Sequence, residues 1–501
     1  MNNSGVSRRH FFYGSLLAGA VPAGGFGSTP SLKALGFKTV LDKLNIAGIG
    51  IGVRGPADLA PMAVSENIVA LCDVNETYAA STFERYPKAR KYKDFRKLLE
   101  AEGKNIDGVV IATPDHSHTP IALAAMQLGK HVYCEKPLTR TVWEARLLRD
   151  AAHKYNVATQ MGNQGFSHEG TRTCAEILWS GEIGSVREVH TWTGGLYGGR
   201  FLVDGVPPVH PVPAGLDWDL WLTTAAMRPY NENMFGRWRA WLDFSTGGSL
   251  GDWIVHCMGP AHIALQLHLA PPISVECVQV TGSNNWVWPE SAHTVYEFPE
   301  RGGMPPVTIH VYQKMEGAVK RPAGVGENEH LLPMPNNLEE RGRYAPPEPG
   351  KRTPSNTART PRPARNAKAA AAAKPADVAK RPPHGTLFVG DKGHMATVAR
   401  GEGVWLLPAS RWEQYALPPQ ILPRSVNHQQ DWVRAAKGGA PGCSNFDIAV
   451  PYIEWLILGA VALRVPNKKL LWDAKQMQFT NCPEANQYLR PNIRKGWELK
   501  L

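Results

Sequence analysis

Four groups of residues in this chain have types and spacings that could do chemistry. Gly50-Ile51-Gly52-Val53-Arg54-Gly55 is a GxGxxG run at the end of a short apolar stretch. In such a run the first glycine permits a tight turn, the second lets the backbone approach a pyrophosphate, and the third lets helix and strand pack closely. Asp73 closes the next apolar stretch, 18 residues after Gly55. A carboxylate there accepts hydrogen bonds from ribose hydroxyls and repels a 2′-phosphate, so the combination predicts NAD in preference to NADP. The competing reading makes Asp73 a helix cap for the segment that begins at Glu76. "VYCEKPL" (132–138) ends an apolar run on two adjacent opposite charges, Glu135 and Lys136, followed by Pro137; taken alone these read as a surface ion pair at a turn. Asp252 and His256 stand four apart in "GDWIVH", which puts them on one face if the segment is helical. Histidine suits proton removal near neutral pH. Asp252, His256 and His262 could also be taken for metal ligands, but no further carboxylate or cysteine stands at ligand spacing, and no metal is expected.

The elements that must position these residues follow from the apolar pattern. Leu44 to Ile49, Asn67 to Cys72, Gly108 to Ala112 and His131 to Cys134 are short apolar runs, with helical spacing between them, as in Pro120 to Leu128. Fully apolar strands alternating with helices predict a parallel sheet covered on both faces, here a doubly wound domain over residues 42–162. Beyond it, Val186 to Trp192, Ile273 to Thr281, Thr294 to Phe298, Val307 to Tyr312 and Gly385 to Val389 predict the strands of a large, mostly antiparallel open sheet in an α+β domain over 163–501. Residues 321–383 interrupt that domain with proline, alanine and basic residues and are expected to form a mobile insertion. Ile453 to Val465 is dense enough in apolar residues to be a buried helix.

Four stretches together, "GIGVRG" (50–55), "ATPDHSH" (112–118), "CEKPL" (134–138) and "GGSLGDWIVH" (247–256), make the chain resemble the glucose-fructose oxidoreductase/inositol dehydrogenase (Gfo/Idh/MocA) family. The resemblance implies a Rossmann dinucleotide-binding domain followed by an α+β domain whose open sheet mediates self-association as a dimer or tetramer. It implies that Lys136 reaches both the nicotinamide and the reacting hydroxyl. An ammonium there would stabilise charge on an oxygen losing its proton as hydride departs. The bond before Pro137 is often cis in that family. Asp252 and His256 would face the substrate hydroxyl, with His256 as general base, which argues against the metal reading. Gly50, Gly52, Val53, Arg54, Gly55, Asp73, Thr113, Pro114, His118, Glu135, Lys136 and Asn163 are the expected cofactor contacts. Gln164, Trp238 and Arg239 join Lys136, Asp252 and His256 as expected substrate contacts, although Trp238 and Trp241 read equally well as core. "GNQGFSHEG" (162–170) stands where many relatives carry an arginine-rich stretch, so no particular family substrate carries over.

The formal charge of +11 invites a nucleic-acid reading, but eleven basic residues between Arg341 and Arg381 face only Glu348 and Asp377. The rest of the chain is close to neutral, and no nucleic-acid surface is expected. Ser7-Arg8-Arg9-His10-Phe11-Phe12 ahead of a short apolar stretch predicts a twin-arginine export signal within residues 1–35, too short for a permanent membrane anchor. Seven cysteines without a CxxC pair predict buried free thiols, because cargo of this export route folds in a reducing compartment. Little free dinucleotide is expected outside the cytoplasm. An exported enzyme would therefore hold NAD tightly and regenerate it within each cycle. Three functions remain open: an oxidoreductase acting on a sugar or polyol; a redox-neutral glycosidase, lyase or epimerase using transient oxidation; and a non-catalytic sugar binder.

Overall fold

The computed structural model describes residues 42–194, 205–333, 337–343 and 384–501, together with positions 199, 203 and 335. The predicted export signal and the most basic part of the insertion, 344–383, lie outside the described residues.

The first sheet has six parallel strands in the order β3-β2-β1-β4-β5-β6. These are β1 (Asn45–Ile49), β2 (Asn67–Cys72), β3 (Arg90–Tyr92), β4 (Gly108–Ile111), β5 (His131–Cys134) and β6 (Thr159–Met161). This is the Rossmann order, in which the direction of strand addition reverses between β1 and β4 and leaves a crevice at the carboxyl ends. β1, β4 and β5 are buried almost throughout because helices cover both faces. The helix Val142–Tyr155 opens with a reciprocal capping box between Thr141 and Glu144, which satisfies two otherwise orphaned backbone donors.

The second sheet has nine strands: β7 (Val186–Thr193), β8 (Ser274–Thr281), β9 (Ser291–Phe298), β10 (Val307–Gln313), β11 (Gly385–Gly390), β12 (His394–Val398), β13 (Val404–Leu407), β14 (Leu470–Asp473) and β15 (Gln478–Phe479). Their order is β13-β12-β11-β7-β10-β9-β8-β14-β15, antiparallel except for the β7–β10 pair. Strand β9 alternates between buried and half-exposed residues along its whole length, the signature of a sheet packed on one face only.

Three findings bear on how the two domains meet. The helix Phe446–Ala462 is apolar around most of its circumference and is mostly buried, apart from the face that carries Asp447. It lies between the two domains: Trp455 meets Tyr296 and Phe298 of β9 edge-on, while Glu454 takes both arms of Arg146 from the first domain at 2.6 and 2.9 Å. The helix His428–Ala436 belongs to the first domain's core, with Trp432 fully buried beside Tyr133 of β5. Within the stretch expected to be a mobile insertion, Val325, Leu332 and Leu338 are buried, and Val325 and Leu332 pack on Leu387 and Leu407.

Candidate active site

The carboxyl ends of β1, β2, β4 and β5 open into a cleft of about 340 Å³. At one end the turn after β1 is built for close backbone approach. Gly50 has φ +81°, and a side chain on it would meet Thr113 at 2.6 Å; one on Gly52 would meet Cβ of Tyr78 at 2.6 Å. The helix Gly55–Met62 begins with no side chain capping its N-terminus, leaving the positive end of its dipole toward the cleft. Asp73 is not the cap of the next helix; Asn75 is, accepting from Tyr78 N–H. The Asp73 carboxylate instead accepts from the N–H groups of Ile51 and Asn75, both at 2.9 Å, so it braces the glycine turn as well as lining the cleft. Burial pushes its pKa up to about 6 against those hydrogen bonds. Thr113 and Pro114 line the same space, and the Thr113 hydroxyl is buried with no partner. A glycine cradle, an uncapped helix start, an acceptor carboxylate and an orphaned hydroxyl in one cleft fit a dinucleotide.

Glu135 and Lys136 end β5 at the floor of the cleft, and the Lys136–Pro137 bond is cis. Arg54 donates to Glu135 at 3.1 Å and to Asp58 at 2.7 Å. One guanidinium cannot compensate two buried carboxylates, and the two groups part company. Burial opposes charge on both, but Arg54 and Lys136 together hold Glu135 below the usual carboxylate range, while Asp58 is pushed well above it by burial. Gln164 stands behind Glu135, donating its amide to it at 2.8 Å. Asn163 beside it is buried with neither side-chain polar atom partnered. His118 lies deeper than expected: fully buried, its ring nitrogens are 2.9 Å from the carbonyls of Pro137 and Thr113, tying together the two chain segments that carry the motif residues.

Lys136 is clamped from the second domain. Its Nζ donates to Asp252 Oδ1 at 2.7 Å and to the Asp252 carbonyl at 2.9 Å, and Arg239 Nε donates to the same Oδ1 at 3.0 Å. Asp252 sits in a π-helical turn, Leu250–Ile254, that runs into the short α-helix Val255–Cys257 carrying His256. The expected single α-helical turn is therefore wider than the i,i+4 spacing implied, a distortion found often at functional sites. His256 is buried with Nδ1 unpartnered. Burial first, and then the nearby Lys136 ammonium, keep its pKa well below the usual histidine value, so the ring is neutral.

The sequence reading missed several contributors. A lobe rich in aromatic residues, 205–244, is pinned to the first domain through Asp217 N–H to Val74 O at 2.9 Å and Glu76 N–H to Gly215 O at 3.1 Å. It brings Trp221, Phe235 and Trp238 over the cleft. The two tryptophans that could be core or site divide: Trp241 is 1% exposed and packs inside the lobe, while Trp238 lines the cleft with the Arg239 guanidinium 4.2 Å above its ring. Asp115, inside the "ATPDHSH" motif, is a further buried acid, with its pKa raised to about 7 by burial despite the pull of Arg239 and Lys136. Among the described residues, the His/Cys/acid grouping close enough to hold a metal ion is not Asp252, His256 and His262 but His428, Asp431 and Cys443. No helix among the described residues is long and apolar enough to cross a membrane. All seven cysteines are free, six of them buried.

Residues 44–163 match the model of an oxidoreductase family's NAD-binding Rossmann fold, and residues 191–287 match that family's C-terminal alpha/beta domain. Inositol 2-dehydrogenase of Salmonella typhimurium is 31% identical over 151 residues, 30% of this chain and 44% of that protein. A glycosyl hydrolase family 109 protein of Stenotrophomonas maltophilia is 37% identical over 106 residues, 19% of this chain and 23% of its own length. The matches thus span less than half of these curated relatives. A crystal structure of an inositol dehydrogenase homologue from Azotobacter vinelandii, complexed with NADH and myo-inositol, aligns over 87% of this chain and 100% of its own with a TM-score of 0.51 and 16% identity, a likeness of fold. The NAD-binding and C-terminal domain models of the Gfo/Idh/MocA oxidoreductase family are thus matched in that order along one chain.

Proposed function

We propose that the protein transfers hydride between a tightly held NAD and a hydroxyl-bearing carbon of a sugar or polyol. The observation that carries this reading is the placement of the Lys136 ammonium, fixed by two oxygens of Asp252, in the same cleft as the glycine turn. Bound there, the nicotinamide supplies the hydride acceptor. The residues of the chain manage the proton. Two of the three Lys136 N–H donors are spent on Asp252, leaving one for the substrate oxygen. As that oxygen loses its proton, the ammonium stabilises the developing charge. His256, neutral and with Nδ1 unpartnered, is the acceptor for the proton. Trp238 offers a flat face for a sugar ring, and Arg239 offers donors for its hydroxyls.

We further propose that residues 1–35 export the folded protein by the twin-arginine route, and that the open face of the nine-stranded sheet mediates self-association. Export would require NAD to be regenerated in place. Such regeneration favours either a second sugar as hydride acceptor or a redox-neutral cycle. The redox-neutral reading draws support from the likeness to the glycosyl hydrolase family 109 protein. The test incubates purified protein with a panel of sugars and polyols while following nicotinamide absorbance and products. A rise with one sugar that reverses with a second supports the oxidoreductase; bond cleavage or epimerisation without lasting reduction supports the second reading. No spectral change and no product across the panel, with sugar affinity intact in Lys136→Ala, would leave only a sugar binder.

A further inference from the structure

Behind the loop that carries Asn163 and Gln164, a second group of side chains converges on one point. His428 opens the helix His428–Ala436, Asp431 follows one turn later, and Cys443 comes from the loop before the next helix. His428 and Asp431 are each 2% exposed. Ser167 Oγ, at the end of the 3-10 turn Gln164–Ser167, lies 2.7 Å from His428 Nδ1, 2.9 Å from Asp431 Oδ2 and 3.0 Å from Cys443 Sγ. The sulfur is 3.9 Å from Nδ1 and 3.7 Å from Oδ2.

Hydrogen bonding alone does not satisfy this arrangement. His428 Nε2 is 2.8 Å from the Met161 carbonyl and donates to it, so Nδ1 of the neutral ring is a bare acceptor. Asp431 Oδ2 is an acceptor too, already taking the Ser425 hydroxyl. The Ser167 hydroxyl and the Cys443 thiol bring two protons to three contacts around Ser167 Oγ. One pair of lone pairs is left facing another at hydrogen-bond distance, a costly arrangement in a buried place. A cation removes the conflict, and the donor set suits one. Imidazole, carboxylate and thiolate are the ligands of zinc, and tetrahedral zinc with bonds of about 2.0–2.3 Å sets its ligand atoms about 3.5 Å apart. The outer contacts follow the metal-site pattern as well: the histidine's other N–H is fixed by a backbone carbonyl, and the second carboxylate oxygen is held by Arg434 at 2.8 Å.

We propose that His428, Asp431 and Cys443 bind a divalent transition-metal ion of borderline softness, zinc being the best match. The Ser167 hydroxyl turns aside about Cα–Cβ, and each ligand atom closes by about 0.7 Å relative to its present distance from Ser167 Oγ. The carboxylate and the thiolate balance the charge of the ion. A cavity of about 280 Å³, lined by Asp431, Cys443, Arg172 and Arg434 among others, gives access and leaves the fourth position to water or a small anionic ligand. The site lies outside the NAD cleft and does not depend on the proposed reaction.

The test uses the full chain, freed of metal with a chelator and titrated with Co²⁺. One equivalent should bind, giving visible d–d bands of tetrahedral intensity and a near-ultraviolet thiolate-to-cobalt band, both removed by Zn²⁺; zinc should also raise the melting temperature. Cys443→Ser should lose the thiolate band and bind at least tenfold more weakly. Ser167→Ala, which removes the competing hydroxyl, should bind at least as tightly as the native chain. Absence of the thiolate band in the native chain overturns the proposal whatever the variants do. So does a band that persists in Cys443→Ser, or a loss of affinity in Ser167→Ala.

Discussion

The two ends of the cleft are built in different ways. The dinucleotide end is made mainly from one contiguous stretch of chain, Gly50 to Asp73, with Thr113 beside it, and works largely through backbone: a glycine turn, an uncapped helix start and a single carboxylate. The lysine end is made from side chains brought together across the sequence, since Lys136 and Asp252 are 116 positions apart and Arg239 comes from a third segment. Local construction makes the first end tolerant of what happens elsewhere but intolerant of any added atom. Long-range construction makes the second end depend on the docking of two domains, which the interposed helix Phe446–Ala462 secures.

This contrast predicts separable failures. Lys136→Ala should lower turnover by about three to four orders of magnitude, the usual loss when an electrostatic stabiliser and proton-handling group is removed together. NAD should remain bound, checked by denaturing the purified variant and measuring the released dinucleotide. Gly52→Val should do the reverse. Its Cβ would meet Tyr78 Cβ at 2.6 Å, and because neither backbone can yield cheaply, NAD affinity should fall by at least about a hundredfold. The Lys136–Asp252 pair would stay intact. If Lys136→Ala also empties the cofactor site, the two ends are one cooperative unit and the comparison fails.

Asp73→Ser should weaken NAD by about ten- to a hundredfold, from the loss of charge-assisted hydrogen bonds, and should narrow the preference over NADP. Part of that loss comes from the turn itself, since Asp73 holds the Ile51 N–H. A titration sharpens the point. Asp73 has its pKa raised to about 6 by burial, and a ribose hydroxyl is best held by the ionised form. NAD affinity should therefore be constant above about pH 6 and fall by up to tenfold per unit below it. Isothermal titration across that range checks the slope, which should vanish in Asp73→Ser.

How much of this was legible follows the same division. The glycine turn, Asp73 and the four longest parallel strands are local signals and stand in the sequence. Strand β3 is three largely polar residues at a sheet edge and carries no apolar signature. The helix with Trp432 belongs to the first domain although it lies more than 250 residues beyond that domain's last strand. A composition pass along the chain assigns it to the wrong core. The i,i+4 spacing of Asp252 and His256 was visible, but a π-turn is a matter of packing and leaves no pattern. Which of Trp238 and Trp241 faces the cleft depends on how the aromatic lobe folds over the first domain, and composition is silent on that.

The smallest expected effect tests the lysine end from its outer side. Arg239 shares Asp252 Oδ1 with Lys136 and stacks on Trp238 at the cleft wall, so it both competes for the carboxylate and lines the cleft. Arg239→Gln removes the competitor. Lys136 should then be held more tightly by Asp252, and the third N–H, proposed for the substrate oxygen, should be little disturbed. The guanidinium's proposed contact with substrate hydroxyls would be lost in that variant, a part-exposed hydrogen bond worth about 1 kcal/mol. KM should rise about three- to tenfold with kcat within about twofold of native, measured under steady state with the best sugar found. A fall in kcat of a hundredfold or more would instead place Arg239 among the groups that act on the reacting oxygen, and the division of labour between Lys136 and its neighbours would have to be redrawn.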